Sequence, residues 1–237
     1  MTMYENFEQL IKNFDGATTE SVLSYFLKSH KGRIALASSF GAEDQVLTDM
    51  VASLDPTTKI FSLDTGRLHE ETYRVMDQTN RKYGISIDVY APEREELEAL
   101  YRQQGSYGFR DSIENRKACC HVRKIVPLKR ALKGMDVWIT GLRRSQSPTR
   151  ELMRLVEWDE GNNLIKLNPL IEWDEKRVWD YIKEHKVPYN ALHDEGFPSI
   201  GCAPCTRAVK EGEDLRAGRW WWENPEHKEC GLHLRGA

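Results

Sequence analysis

The chain has 237 residues, 40% hydrophobic and 30% charged, with 34 Lys and Arg against 37 Asp and Glu and a formal net charge of -3. That length and apolar content support a packed domain and exclude global disorder. The charge balance argues against a generic nucleic-acid binder, though it leaves room for a local basic pocket, and no apolar run approaches a membrane span.

The N-terminus is polar and then amphipathic, unlike a secretory leader, so a cytoplasmic protein without nucleic-acid or membrane partners is expected. Periodicity predicts amphipathic helices over residues 5–14 and 18–30, the second opened by Thr18 and Thr19. An apolar run over 33–38 reads as a buried strand, and a helix follows over 43–52. Strands over 59–63 and 85–90 alternate with helices over 68–83 and 93–104. A fourth strand covers 137–140, ending at Gly141. Segments 152–158 and 164–167 read as a hairpin turning at residues 160–163, and 174–185 as a helix. Pro127 falls within a helical pattern and marks a kink or a new helix start.

Strands alternating with helices of this length indicate parallel β-α units, hence an α/β fold with a doubly wound, mainly parallel sheet. Past Val187, Pro and Gly recur and periodicity fades, which predicts an irregular C-terminal segment folded over the sheet edge. A boundary near Leu170 would leave too little chain for a second core, so one domain over 1–237 is expected, with 206–237 as a mobile tail.

Ligands of open α/β sheets bind beyond the carboxyl ends of the strands. Three loops there carry suitable residues. Ser38, Ser39, Phe40, Gly41 and Asp44 lead into a helix, where backbone N–H groups and the dipole receive an anion. Leu63 precedes Asp64-Thr65-Gly66, and Gly141 precedes Arg143, Arg144 and Arg150. Each alone is compatible with ordinary turn chemistry; three on one edge favour a nucleotide carrying phosphate or sulfate.

Five cysteines stand at 119, 120, 202, 205 and 230. The odd count and clustering disfavour a disulfide framework. Neighbouring side chains on a helix diverge, so Cys119 and Cys120 close poorly on one zinc ion, whereas an iron–sulfur cube offers each its own corner. With Cys202 and Cys205 there are four thiolates; a 4Fe-4S cluster, zinc and redox disulfides are the readings, in that order. Arg116, Lys117, His121, Arg123, Lys124, Arg130 and Lys133 surround the first pair and Arg207 follows the second, either as a solvated basic face or as charge that balances thiolates and draws an anion. Lys124 lies four residues after Cys120 and so on its helical face. Cys230, in Glu229-Cys230-Gly231-Leu232-His233, is either an incidental thiol or a nucleophile activated by nearby cations. Trp220, Trp221 and Trp222 read as an anchor for the tail.

Taken together, the first loop, Leu63-Asp64-Thr65-Gly66, Cys119-Cys120-His121-Val122-Arg123-Lys124, Gly141-Leu142-Arg143-Arg144, Ile200-Gly201-Cys202-Ala203-Pro204-Cys205-Thr206 and Glu229–His233 resemble the assimilatory adenylyl-sulfate (APS) reductases. These are the iron–sulfur branch of the phosphoadenosine phosphosulfate (PAPS) reductase family, and the resemblance spans about residues 33–235. It implies an adenine nucleotide alpha hydrolase-like fold. The first loop differs from the Ser-Gly-Gly-x-Asp-Ser form of the related ATP pyrophosphatases, which favours binding an intact phosphosulfate over cleaving ATP.

The resemblance further implies that Cys119, Cys120, Cys202 and Cys205 hold the 4Fe-4S cluster. Cys230 would be the nucleophile toward adenosine 5′-phosphosulfate, expelling AMP and leaving an S-sulfocysteine from which thioredoxin or a glutaredoxin-like dithiol releases sulfite. Lys124, Arg150, Arg216 and Arg219 would serve the phosphosulfate, and Ser38, Ser39, Phe40, Gly41, Asp44, Leu63 and Gly141 the nucleotide. His233 would assist the terminal thiol, and the family commonly forms homo-oligomers. Rival readings are a reductase of the 3′-phosphorylated nucleotide or of both, a zinc-stapled nucleotide-binding module without catalysis, and a cluster-bearing transfer-RNA thiolation enzyme, the last opposed by the acidic balance and the terminal motif.

Overall fold

A computed structural model describes residues 12, 14, 16–146, 150 and 152–224. The expected helix over 5–14 therefore lies almost wholly outside the described residues, as do 147–149 and 225–237. The first described helix, α1 (Thr19–Ser29), is capped by Thr18, whose hydroxyl accepts from the Ser21 N–H at 3.2 Å. Then come β1 (Ile34–Ala37), α2 (Ala42–Leu54), β2 (Lys59–Leu63), α3 (Glu70–Tyr83), β3 (Asp88–Tyr90) and α4 (Arg94–Gln104). The chain continues through α5 (Ile113–Cys120), α6 (Val126–Ala131), β4 (Val137–Ile139), β5 (Val156–Asp159), β6 (Leu164–Leu167) and α7 (Glu175–Glu184).

The sheet runs β3-β2-β1-β4-β6-β5, parallel throughout except for the β5–β6 hairpin. The central strands β1, β2 and β4 are largely apolar on both faces because both are covered, the pattern of a doubly wound sheet. Ile34, Leu36, Ile60, Val137 and Ile139 meet α1, α2 and α7 on one side. Ala35, Phe61 and Trp138 meet Leu128, Ala131 and Leu132 on the other. This is the expected α/β architecture, and no helix among the described residues is long and apolar enough to cross a membrane.

Three boundaries differ from the sequence reading. The third strand begins only at Asp88, because Gly84 caps α3 at φ 62° and the exiting chain turns back, Ile85 and Ile87 donating to Asn80. β6 does more than close a hairpin: it inserts beside β4 and extends the parallel sheet. Between α5 and α6 the helix widens over His121–Ile125, where the Val126 N–H reaches back five residues to the His121 carbonyl. Pro127 follows at the start of α6, a position that tolerates the missing N–H. Of the expected mobile tail, residues 206–224 pack against the body: Thr206 and Arg219 form a backbone bridge, and Thr206, Arg219 and Trp220 are buried.

Candidate active site

A cleft of about 250 Å³ opens beyond the carboxyl ends of β1, β2 and β4. Ala37, Phe61, Leu63, Leu128 and Trp138 supply its apolar wall. Ser38, Ser39, Gly41 and Asp44 line it from the first loop, and Gly41 opens α2 with extended backbone and no capping side chain. Asp44 Oδ2 accepts from both the N–H and the hydroxyl of Ser39, each at 2.7 Å. Burial nonetheless pushes the Asp44 carboxyl up to about 6, with Ser39 opposing the rise. Phe40 corrects the sequence expectation. It does not line the cleft but turns into the core, fully buried, at φ 62°, with its N–H donating to Ser38 Oγ at 3.2 Å. The left-handed backbone lets one residue of the loop point inward while its neighbours face the cleft.

Lys124, Arg150, Arg216 and Arg219 all line the same cleft, as does Gly141. Gly141 has a steric reason: a Cβ there would stand 2.3 Å from Asp44 Oδ1. Arg150 is buried, and its guanidinium donates to Gln146 Oε1. Arg143 also lines the cleft, but its Nε donates to Glu43 Oε1 at 2.7 Å, so a nearly buried carboxylate already balances that charge. His193, to which the sequence assigns no role, also lines the cleft, its ring edge-to-face with Trp179 at 5.2 Å between centroids. Burial lowers the His193 pKa, against the pull of Glu43. A single His in an irregular stretch carries no spacing signal that could have found it.

A second, smaller pocket of about 20 Å³ adjoins the first and is lined by Cys119, Cys120, Cys202 and Cys205 together. Lys124, Cys202 and Arg219 belong to both cavities. Cys119 and Cys120 end α5, while Cys202 and Cys205 flank a tight turn that the Cys205 N–H closes onto the Cys202 carbonyl at 2.9 Å. None of the four forms a disulfide. Among the described residues no three His, Cys, Asp or Glu side chains converge as a single metal ion requires. Burial drives the Cys205 thiol up to about 12, Cys202 adding and Lys124 and Arg219 opposing. Burial also raises Cys119, with Arg123 and Arg67 opposing.

The surrounding basic residues divide. Arg116 and Arg123 are each 2% exposed, so these two are not part of a solvated face. Arg123 donates to the Thr65 carbonyl at 2.6 Å and to the Tyr101 hydroxyl at 2.9 Å. Arg130 and Arg207 instead pair with Glu93 and Glu213. Thr65, which the sequence places in the second loop without a role of its own, joins the two cavities: its hydroxyl accepts from Cys202 Sγ at 3.3 Å and from the Arg67 N–H at 3.2 Å. Cys230 and His233 lie outside the described residues.

Residues 33–208 match the phosphoadenosine phosphosulfate reductase domain. The chain belongs to the phosphoadenosine phosphosulfate reductase family. Within that family it is 54% identical, over 202 residues, to the adenosine 5′-phosphosulfate reductase of Allochromatium vinosum, covering 85% of this chain and 79% of that protein. It is 48% identical to the protein of the same name from Neisseria meningitidis serogroup B, over 91% of this chain and 88% of that one. Among solved structures, the phosphate complex of phosphoadenylyl-sulfate reductase from Candida auris aligns with a TM-score of 0.74 at 27% identity, over 88% of this chain and 98% of that chain. An FMN adenylyltransferase of Candida glabrata shares the fold at a TM-score of 0.57 and 18% identity, over 90% of this chain and 74% of that one.

Proposed function

We propose that the protein reduces adenosine 5′-phosphosulfate to sulfite and AMP in the cytoplasm, with reduced thioredoxin or a similar dithiol as electron donor. The observation that carries this reading is the shared wall of the two cavities: Lys124 and Arg219 line both a nucleotide-sized cleft and the four-cysteine pocket. The high identity to proteins named for this activity supports it.

The apolar wall from Ala37 to Trp138 suits an adenine ring, and Lys124, Arg150, Arg216 and Arg219 supply cations for the phosphosulfate. The Cys230 thiolate attacks the sulfate sulfur. The bond from sulfur to the bridging phosphate oxygen breaks, and AMP leaves with the electron pair. Cys230 then carries the SO3 group as an S-sulfocysteine. A dithiol attacks Cys230 Sγ, sulfite departs with the bonding pair, and closure of the partner's disulfide returns the Cys230 thiol, which balances the two electrons.

Cys119, Cys120, Cys202 and Cys205 are proposed to hold a 4Fe-4S cluster. The four thiols line one small pocket, with Arg67, Arg123 and Lys124 on the same wall to offset thiolate charge, and that donor set suits a cluster. Bound there, the cluster supplies charge beside the sulfate rather than electrons to it.

The deciding experiment is sulfite release by anaerobically purified protein with reduced thioredoxin, run on adenosine 5′-phosphosulfate and on its 3′-phosphorylated form. Turnover of the first, with a sulfonate mass increment on Cys230 when the dithiol is withheld, is expected. Colourless protein that never acquires that increment overturns the reading, and preference for the second nucleotide reassigns the substrate.

A further inference from the structure

The chain just ahead of Cys230 is stapled to both cysteine pairs. On one side the Trp220 N–H donates to the Cys205 carbonyl at 3.1 Å, next to the Thr206–Arg219 bridge. Trp220 stands at φ 40°, a conformation that bulky residues seldom adopt. Its ring is buried between the guanidinium groups of Arg116, 4.8 Å from the centroid, and Arg219, at 4.7 Å. The Glu223 N–H then turns back onto the Trp220 carbonyl at 2.8 Å. On the other side Glu223 Oε1 accepts from Arg116 Nε at 2.6 Å, and the two side chains are 5% and 2% exposed. Arg116 belongs to α5, the helix that ends in Cys119 and Cys120.

A buried ion pair is a poor means of adding stability, since desolvation offsets most of its attraction, but it is a demanding geometric constraint. Among the described residues Glu223 Oε2 is also buried without a hydrogen-bond partner. Cys230 follows Glu223 by seven residues, a tether of at most about 25 Å when fully extended. Covalent length alone therefore keeps the thiol within that distance of Glu223.

We propose that the Arg116–Glu223 pair positions Cys230. It fastens the root of the nucleophile's tether to the helix carrying one cysteine pair, while Trp220 fastens it to the turn carrying the other. Sulfur transfer thus depends on an intact four-cysteine framework without any electron leaving it. Neither Arg116 nor Glu223 lines the nucleotide cleft; Arg116 lines the four-cysteine pocket and Glu223 lines neither cavity, so Glu223 acts through Arg116 as a positioning residue. The inference rests on the roles proposed above for Cys230 and the four cysteines.

The test compares wild type with Glu223→Gln in a single turnover on adenosine 5′-phosphosulfate without dithiol, with the sulfonate on Cys230 followed by mass spectrometry. Iron content and affinity for AMP are measured on the same samples. The variant is expected to keep both and to sulfonate about ten- to a hundredfold more slowly, the effect of a misplaced reacting group. A wild-type rate overturns the proposal, and so does a rate that falls only in step with iron content.

Amide exchange on the wild type provides a second arm, should the variant fail to fold. Chelating the iron is expected to speed exchange at Trp220 and Glu223, and exchange indifferent to iron overturns the coupling. Wild-type protein that never takes a sulfonate group defeats the functional reading as well, whereas equal rates in the two proteins defeat this inference alone.

Discussion

Ser39 and Asp44 close a ring at the mouth of α2: one carboxylate oxygen receives both the backbone N–H and the hydroxyl of the same serine, each at 2.7 Å. The ring holds the first loop in the shape that sends Ser38, Ser39 and Gly41 to the cleft and Phe40 to the core. It also places a buried carboxylate beside Gly141 at the end of β4, so one side chain couples two of the three loops.

Asp44 sets a pH dependence. Its carboxyl titrates at about 6 in the fold and 3.8 in the reference state, because burial favours the neutral acid. The folded protein therefore keeps a proton that the unfolded chain has released, and stability falls as pH rises from about 4 to about 6. Asp44→Asn removes this titration. Relative to that variant, nucleotide-free wild type is expected to lose up to about 3 kcal/mol between pH 4 and pH 7. Urea unfolding of both proteins across that range checks it; a constant difference contradicts the assignment.

Gly141→Ala tests the contact between β4 and α2. The added methyl would meet Asp44 Oδ1 at 2.3 Å, Glu43 Cβ at 3.0 Å and the Asp44 amide nitrogen at 3.1 Å, and the last is backbone that cannot swing away. A loss of about 1–3 kcal/mol is expected from overpacking. AMP affinity, by calorimetry, is expected to fall with it because the cleft narrows at the same point. Unchanged affinity would place the nucleotide elsewhere.

Thr65→Val removes the hydroxyl beside Cys202 at nearly constant volume. With Cys202 as a thiolate the Thr65 hydroxyl donates rather than accepts, and such outer contacts are worth about 10- to 100-fold in metal affinity. Faster iron release to a chelator, with AMP affinity preserved, is the expected outcome. Release at the wild-type rate would show that the contact does nothing for the bound group.

Cys230→Ser and Cys119→Ser separate the two thiol roles. The first is expected to retain iron, colour and AMP binding while releasing no sulfite. The second is expected to lose iron and activity together. Iron analysis and sulfite assay on both proteins decide; normal turnover by Cys230→Ser removes that residue from the chemistry.

The parallel sheet, the three loops at its carboxyl edge and the two cysteine pairs are legible in the amino-acid order alone. Alternating apolar strands and helices, glycines before arginines and adjacent thiols are local patterns, and local chemistry dictates them. His193 carries no such pattern, and its place, like the contact of Thr65 with Cys202, follows from how the irregular 188–206 segment folds across the sheet edge. Phe40 reads as a cleft residue because its neighbours are; only a left-handed backbone angle, set by core packing, turns it away. Likewise Arg116, Arg123 and Arg130 look equivalent along the chain. Burial and the partner each one meets depend on residues far away in sequence, Glu223, Thr65 and Glu93, and only the folded chain brings those together.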